Sequence, residues 1–524
     1  MATEERILPH TIAKDGAVEF HSVTSPSDDS IAVCHVPPDR VIPVIFVPGV
    51  MGSNLKNKET NKEVWVVNSE AGMGSWLFKK APQRKELLDP KKTTVFDGGK
   101  LPEGTSLTDA EKRRRGWGTV ARTSYGDWLV WLQNALNDCT AGTEYGRKGV
   151  RKSLTEKPVA PGQTPLTDQE VALSYRYELP VHAVGYNWLQ SNADSAQHLA
   201  NEIDRIMASY RNAGRRCERV IVVTHSMGGL VARHCSEVRG YREKILGILH
   251  SVMPTTGSAT AYSRVKAGWE GSGLARKVLG ENANEITAVF GQSAGPLQLL
   301  PSTEYGDGWL QIQSAEGQFV HLPQKGDPYT EIYTQRGKWW GLIDDSLLNP
   351  LDKTKRQIEQ DWKSYVELIN LEVRKFHDAI SRRYHPQTYA FYGDDTKHKT
   401  WGDVIWARTL RPHLRNAQPK PVVAPLDLAL VDDNRVGTQL LTENPKLLAS
   451  SMEEFTLRSP AENGDGTVPI RSGRAPAQYA KACVAFTGVD HEGAYKPTAC
   501  RHFALWAVAR IIGNVKGTPM EYTR

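Results

Sequence analysis

The chain has 524 residues, a formal net charge of +6 and 24% charged residues. So small a charge over this length gives no general affinity for nucleic acid, and no apolar run approaches the ~20 residues that cross a bilayer. The cysteines (Cys34, Cys139, Cys217, Cys235, Cys483 and Cys500) show no CxxC spacing, which argues against a zinc knuckle or redox pair and for reduced, buried thiols.

The first nine residues lack the basic start and apolar core of a cleaved signal peptide, so the expectation is a protein made in the cytoplasm. Residues 1–40 are polar and read as an N-terminal arm. Residues 41–47 (VIPVIFV) carry the first buried-strand signal, and 48–53 (PGVMGS) form a turn. Residues 56–125 are charged and rich in Gly and Pro, and loops are expected there. Their basic clusters (Lys79, Lys80, Arg84, Lys85, Lys91, Lys92 and 112–115) read as solvated loops or as a surface that meets anionic lipid headgroups. Residues 125–136 look helical, with Trp128, Leu129, Trp131, Leu132 and Leu136 at near-helical spacing. Residues 140–172 are again polar.

From residue 179 the pattern becomes regular. A strand at 179–186 precedes a helix at 194–212, whose Leu199, Ile203, Ile206, Met207 and Tyr210 share one face. Gly214 stands where a C-cap belongs. A strand at 220–223, a helix at 228–238 and a strand at 245–252 follow. Strands alternating with helices on short links predict a parallel sheet covered by helices. The alternation stops at 253–258. Residues up to 386 read as helical or irregular, and 354–384 fit one long amphipathic helix or two joined. A strand at 388–393, a proline-rich excursion, a strand at 482–488 and a helix at 501–512 close the chain. The expected division is an arm at 1–40, a core built from 41–253 and 387–524, and an inserted cap at 254–386.

The apolar run Ile221, Val222, Val223 ends in Thr224, His225, Ser226, Met227, Gly228 and Gly229. Strand, serine, glycine, helix is the pattern of a nucleophile elbow, a sharp turn that projects the serine hydroxyl above a sheet. Small residues are needed two before and two after the serine. Gly228 satisfies this. Thr224 is larger than the usual Gly or Ala and predicts a slightly opened elbow.

A serine needs a base, and the base needs an orienting acid. In this fold the chain order is serine, acid, histidine. His225 lies inside the elbow and reads as structural. His321, His377, His385 and His398 precede the last strand. His491 follows that strand directly and is the expected base, with His502 on the closing helix as the fallback. Asp465 sits between two glycines in a tight loop that could hold a carboxylate toward an imidazole. A surface turn or a calcium loop is the alternative for that segment, and Asp490 is a weaker candidate acid. An oxyanion hole needs two backbone N–H donors, expected from Met227 and from Val50, with Met51 close behind it, in the turn after the first strand.

Residues 44–55 (VIFVPGVMGSNL), the Tyr186-Asn187-Trp188 turn, and segments 224–229, 253–258, 299–302 and 464–469 together resemble the lecithin:cholesterol acyltransferase-like lipases. They are also similar to the GPI inositol-deacylase type of lipase. The resemblance implies an α/β-hydrolase fold, with a mostly parallel sheet, helices on both faces and a large inserted helical cap. It implies Ser226 as nucleophile, Asp465 as orienter, His491 as base, and Val50 and Met227 as oxyanion donors, with no cofactor and no metal. The expected substrate is a lipid or phospholipid met at a membrane surface. A lipase without a signal peptide is also similar to the phospholipase effectors of type VI secretion systems, which implies a secretion-system delivery partner and an immunity protein. Two further readings stay open: a lipid acyltransferase that passes the acyl group to an alcohol, and a catalytically silent binding module on the same scaffold.

Overall fold

A computed structural model describes the chain except residues 1–4, 9, 13–17, 22–30, 35–37, 67–73, 139–148, 270–273, 315, 410–423, 447–451 and 523–524. At its centre lies a six-stranded sheet in the order Ala482–Phe486, Thr388–Gly393, Ile245–Ser251, Val220–His225, Val44–Val47, Val181–Ala183. Every pairing in it is parallel. Parallel strands with helices on both faces are buried twice over, which is why they read as continuous apolar runs.

Residues of the central strands feed two cores, in strict alternation along Val44–Val47 and Val220–Val223 and with one extra residue, Leu246, shifting the register in Ile245–Ser251. Ile45, Val47, Val220, Val222, Ile245 and Ile248 pack on one face with helices Asn192–Asn212 and Gly228–Glu237. Val44, Phe46, Ile221, Val223, Leu246 and Leu249 pack on the other with helices Arg122–Leu136 and Thr498–Ile512. The period of two follows from strand geometry, and each fully buried Val or Ile contributes roughly 1.5–3 kcal/mol. The Ser191 side chain caps helix Asn192–Asn212 at its start. Gly214, just past its end, adopts the left-handed φ of 72° expected of a C-terminal glycine.

A second six-stranded sheet lies in the order Phe319–Leu322, Leu310–Gln313, Val404–Thr409, Met452–Leu457, Thr438–Thr442, Ala429–Asp433. Its strands come from both sides of the boundary placed at residue 386: the chain leaves this sheet, contributes Thr388–Gly393 to the central one, and returns. The 404–457 stretch, read as a loop-rich excursion, holds four of these strands. Leu310, Ile312, Val404, Trp406, Leu441 and Phe455 join the first core, so the two sheets share one apolar interior.

The stretch 354–384 contains Ile358–Glu367, a π-helical turn Leu368–Arg374, and Lys375–Ile380 in unbroken succession. Tyr365, Ile369, Val373, Phe376 and Ile380 form its buried stripe. Residues 56–125, expected as loops, include strands Glu63–Trp65 and Thr93–Val95 and helices Ala81–Leu87 and Asp109–Arg114. Part of their basic character is internal. Arg84 is buried and donates to the carbonyls of Val278 and Lys277, and Lys112 is also buried. In the arm, Glu5–Leu8 pairs with Ile31–Cys34, and His10–Ile12 with Val18–Phe20. No described helix is long and apolar enough to cross a membrane.

Candidate active site

The elbow forms where strand Val220–His225 passes into helix Gly228–Glu237. Ser226 takes a φ of 51°, a left-handed conformation that costs a non-glycine residue energy and persists only where the surroundings enforce it. They do so here: the Ser226 amide donates to the Ser251 carbonyl at 3.0 Å. Thr224 does not open the turn. It stays in register with Val47 on one side and His250 on the other. Its extra bulk is accommodated because its hydroxyl lies 3.0 Å from His250 Nδ1. Ser251 Oγ and the Tyr495 hydroxyl both donate to its carbonyl.

The Ser226 hydroxyl lies 2.8 Å from His491 Nε2. His491 Nδ1 lies 2.9 Å from Asp465 Oδ2. Asp465 is 2% exposed. Its Oδ1 accepts from the amides of Thr467 at 2.9 Å and Val468 at 2.6 Å. Its carbonyl accepts from the His491 amide at 2.8 Å. A carboxylate held this way must present Oδ2 to the imidazole, so His491 carries its proton on Nδ1 and offers the Nε2 lone pair to the serine. Gly466 makes the turn possible with a φ of 89°.

The other candidates are occupied elsewhere. Asp490 Oδ1 accepts from the Gly493 amide and so closes the loop beside His491. His502 sits on helix Thr498–Ile512, where burial and neighbouring Lys157 lower its pKa. His377 lies between the Tyr329 hydroxyl and the Gln298 carbonyl. His385 Nε2 meets the Ile245 carbonyl, and exposed His321 meets the Gly308 carbonyl. Among the described residues no group of three His, Cys, Asp or Glu side chains could hold a metal ion.

Met227 is buried at the N-terminus of helix Gly228–Glu237, where unpaired amides carry partial positive charge. Val50 lies in the turn after strand Val44–Val47. That turn is fixed by Trp65 Nε1 donating to the Met51 carbonyl at 2.8 Å and by the Tyr186 hydroxyl donating to the Pro48 carbonyl at 2.9 Å. Gly49 permits the approach of turn to elbow: a Cβ there would lie 3.0 Å from Ser226 Cβ.

Ser226, His491 and Val50 open into one pocket. Its walls are mainly apolar, with Trp65, Ala261, Trp269, Val278, Leu279 and Leu299 among them. Trp76 braces Trp65 edge-on, at a centroid distance of 5.0 Å. Of these wall residues only Leu299, in segment 299–302, stood out in the sequence; the others come together only in three dimensions. Sequence reasoning also missed Tyr125, whose hydroxyl lies 2.9 Å from His225 Nδ1. Only its place at the start of an amphipathic helix was legible.

The parallel sheet with helices on both faces and its elbow define the α/β-hydrolase fold. A family of known proteins, the PGAP1-like alpha/beta domain, matches residues 184–269, the stretch that contains the elbow. A solved structure, the Tle4-Tli4 complex, contains a chain that superposes on this one with a TM-score of 0.76 at 30% sequence identity, covering 90% of this chain and 98% of that chain. The chain belongs to the Tle4 family. Phospholipase PlaB from Legionella pneumophila aligns over 70% of this chain and 91% of its own at 11% identity, with a TM-score of only 0.18. No curated protein matches the chain in sequence.

Proposed function

We propose that the protein is a serine lipase or phospholipase that hydrolyses carboxylic esters of lipids through an acyl-enzyme on Ser226. The observation that carries this reading is the run of contacts Ser226 Oγ, His491 Nε2, His491 Nδ1, Asp465 Oδ2 at 2.8 and 2.9 Å beside an apolar pocket. His491 takes the serine proton as Oγ attacks the ester carbonyl, and then gives it to the departing alcohol. Asp465 holds the imidazole in its tautomer and stabilises the imidazolium. The amides of Val50 and Met227 are assigned to the oxyanion. Water, activated by His491, then releases the fatty acid. The apolar walls suit an acyl chain, and the second sheet with the helices before residue 386 serves as the cap over it. Membership of the Tle4 family supports a further element: like Tle4, which was crystallised with Tli4, the protein acts as a type VI secretion effector and is bound by a dedicated immunity protein.

The test is incubation with mixed phospholipid vesicles and identification of products by mass spectrometry. The wild type is expected to release fatty acid and lysophospholipid, and Ser226→Ala to release neither. Equal release by both proteins would remove Ser226 from the mechanism. No release by either would remove phospholipid as the substrate.

A further inference from the structure

His225, the residue before the candidate nucleophile, is buried, with 4% of its surface exposed. Its Nε2 lies 2.7 Å from the main-chain carbonyl of His491. Its Nδ1 lies 2.9 Å from the Tyr125 hydroxyl. The Gly49 amide donates to that hydroxyl at 3.1 Å. The polarity of this series follows from its ends. A carbonyl only accepts, so His225 must carry its proton on Nε2. A neutral imidazole then accepts at Nδ1, so the Tyr125 hydroxyl donates there and keeps a lone pair for the Gly49 amide. Burial, reinforced by His491 nearby, pushes the His225 pKa down to about 3, so the ring stays neutral through the ordinary working range. Both ring contacts are close: the His225 centroid lies 5.4 Å from Tyr125 and 5.2 Å from His491.

The two ends of the series are two parts that the reaction needs fixed. Gly49 directly precedes Val50, the assigned oxyanion donor. The His491 carbonyl belongs to the residue whose ring must stay within reach of Ser226. Asp465 grips His491 through its amide and its ring, and His225 grips it through its carbonyl. Gly49 belongs to this arrangement as well, since a Cβ there would lie 2.9 Å from His225 Nδ1.

We propose that Tyr125 and His225 are positioning residues that lock the Val50 turn and the His491 loop into one geometry around Ser226. This rests on the reading of Ser226 as nucleophile. Neither side chain is assigned a proton-transfer step. Each acts through the groups it holds, so its removal lowers the rate of the chemical step and leaves substrate binding in place.

The test uses the full chain and two readouts: the second-order rate of labelling by a fluorophosphonate, which needs no lipid, and the steady-state hydrolysis of a short p-nitrophenyl ester. Tyr125→Phe and His225→Phe are expected to slow labelling and kcat about 10- to 100-fold, with KM within about twofold of wild type. His225→Gln offers an amide N–H to the His491 carbonyl and an oxygen to the Tyr125 hydroxyl, and is expected to recover most of the loss. Wild-type rates in both Phe variants would overturn the proposal. So would a raised KM at unchanged kcat, or a Gln variant as slow as His225→Phe at equal melting temperature. If His225→Phe does not fold, Tyr125→Phe, which removes one oxygen, decides by the same criteria. Failure of the wild type to label at Ser226 would overturn the nucleophile reading and the proposal with it, whereas normal labelling of the Phe variants overturns the proposal alone.

Discussion

A Cβ added to Gly228 would lie 2.5 Å from the carbonyl oxygen of Val47. The first turn of the elbow helix therefore lies directly against the end of the neighbouring strand, and only a hydrogen atom fits between them. Gly228→Ala is expected to destabilise the protein by about 1–3 kcal/mol, because a backbone oxygen cannot step aside. Gly229→Ala meets the Met253 Sδ at the same 2.5 Å, but a thioether is flexible and can move. Thermal melts of the two variants should therefore separate, with Gly228→Ala the lower.

The strain at Ser226 gives a second prediction. A serine at a φ of 51° pays a cost that glycine does not. Ser226→Gly is expected to remove activity and yet raise the midpoint of chemical denaturation, by up to about 1–3 kcal/mol in stability. A destabilised Ser226→Gly would show that the elbow backbone is at rest and that the serine side chain contributes to packing.

Buried histidines set the response to acid. Burial lowers the pKa of His225 and His250 to about 3 and that of His377 to about 4. In the unfolded chain they titrate near 6.5. Between those values the unfolded state binds protons that the folded state refuses, so stability rises with pH. The contribution is fully present above about pH 6.5 and is lost progressively as pH falls toward the folded values. The melting temperature is expected to fall measurably between pH 7 and pH 5, before most carboxylates protonate. Replacing His250 by leucine should flatten that slope. An equal slope in the variant would contradict the assignment.

Ala261 lines the pocket from helix Ala259–Ala267 and is nearly buried. A phenylalanine there would fill acyl space from a helix that carries none of Ser226, His491 or Asp465. Ala261→Phe is expected to lower kcat/KM for long p-nitrophenyl esters at least about tenfold while changing the butyrate ester about twofold or less, since lost pocket volume acts through binding of the distant chain. A uniform loss across chain lengths would mean that acyl chains do not run past Ala261.

Much of this was legible in the sequence, for physical reasons. The central strands are buried on both faces, so 44–47, 220–225 and 245–251 stand out as apolar runs. Ser226, Asp465 and His491 could be picked because each sits where the chain must turn sharply and because their order along the chain is fixed by the sheet. The second sheet was not legible. Its strands are short, and the alternation of Val404 and Trp406 against Ile405 and Ala407 is brief and set among prolines and polar residues. The Tyr125–His225 pair was missed for another reason: the partners are 100 positions apart, and no local pattern announces a hydrogen bond between them. Thr224 misled in the opposite direction. Its bulk suggested an open elbow, and only the distant His250 explains why the turn stays closed.

The most direct measurement is peptide mass spectrometry of the protein after fluorophosphonate treatment, with Asp465→Asn alongside. One adduct is expected, on Ser226, formed about 10⁴-fold more slowly in the Asn variant, whose amide enforces the wrong tautomer of His491. An adduct on another residue, or equal labelling of the two proteins, would contradict the assignment of Ser226, His491 and Asp465.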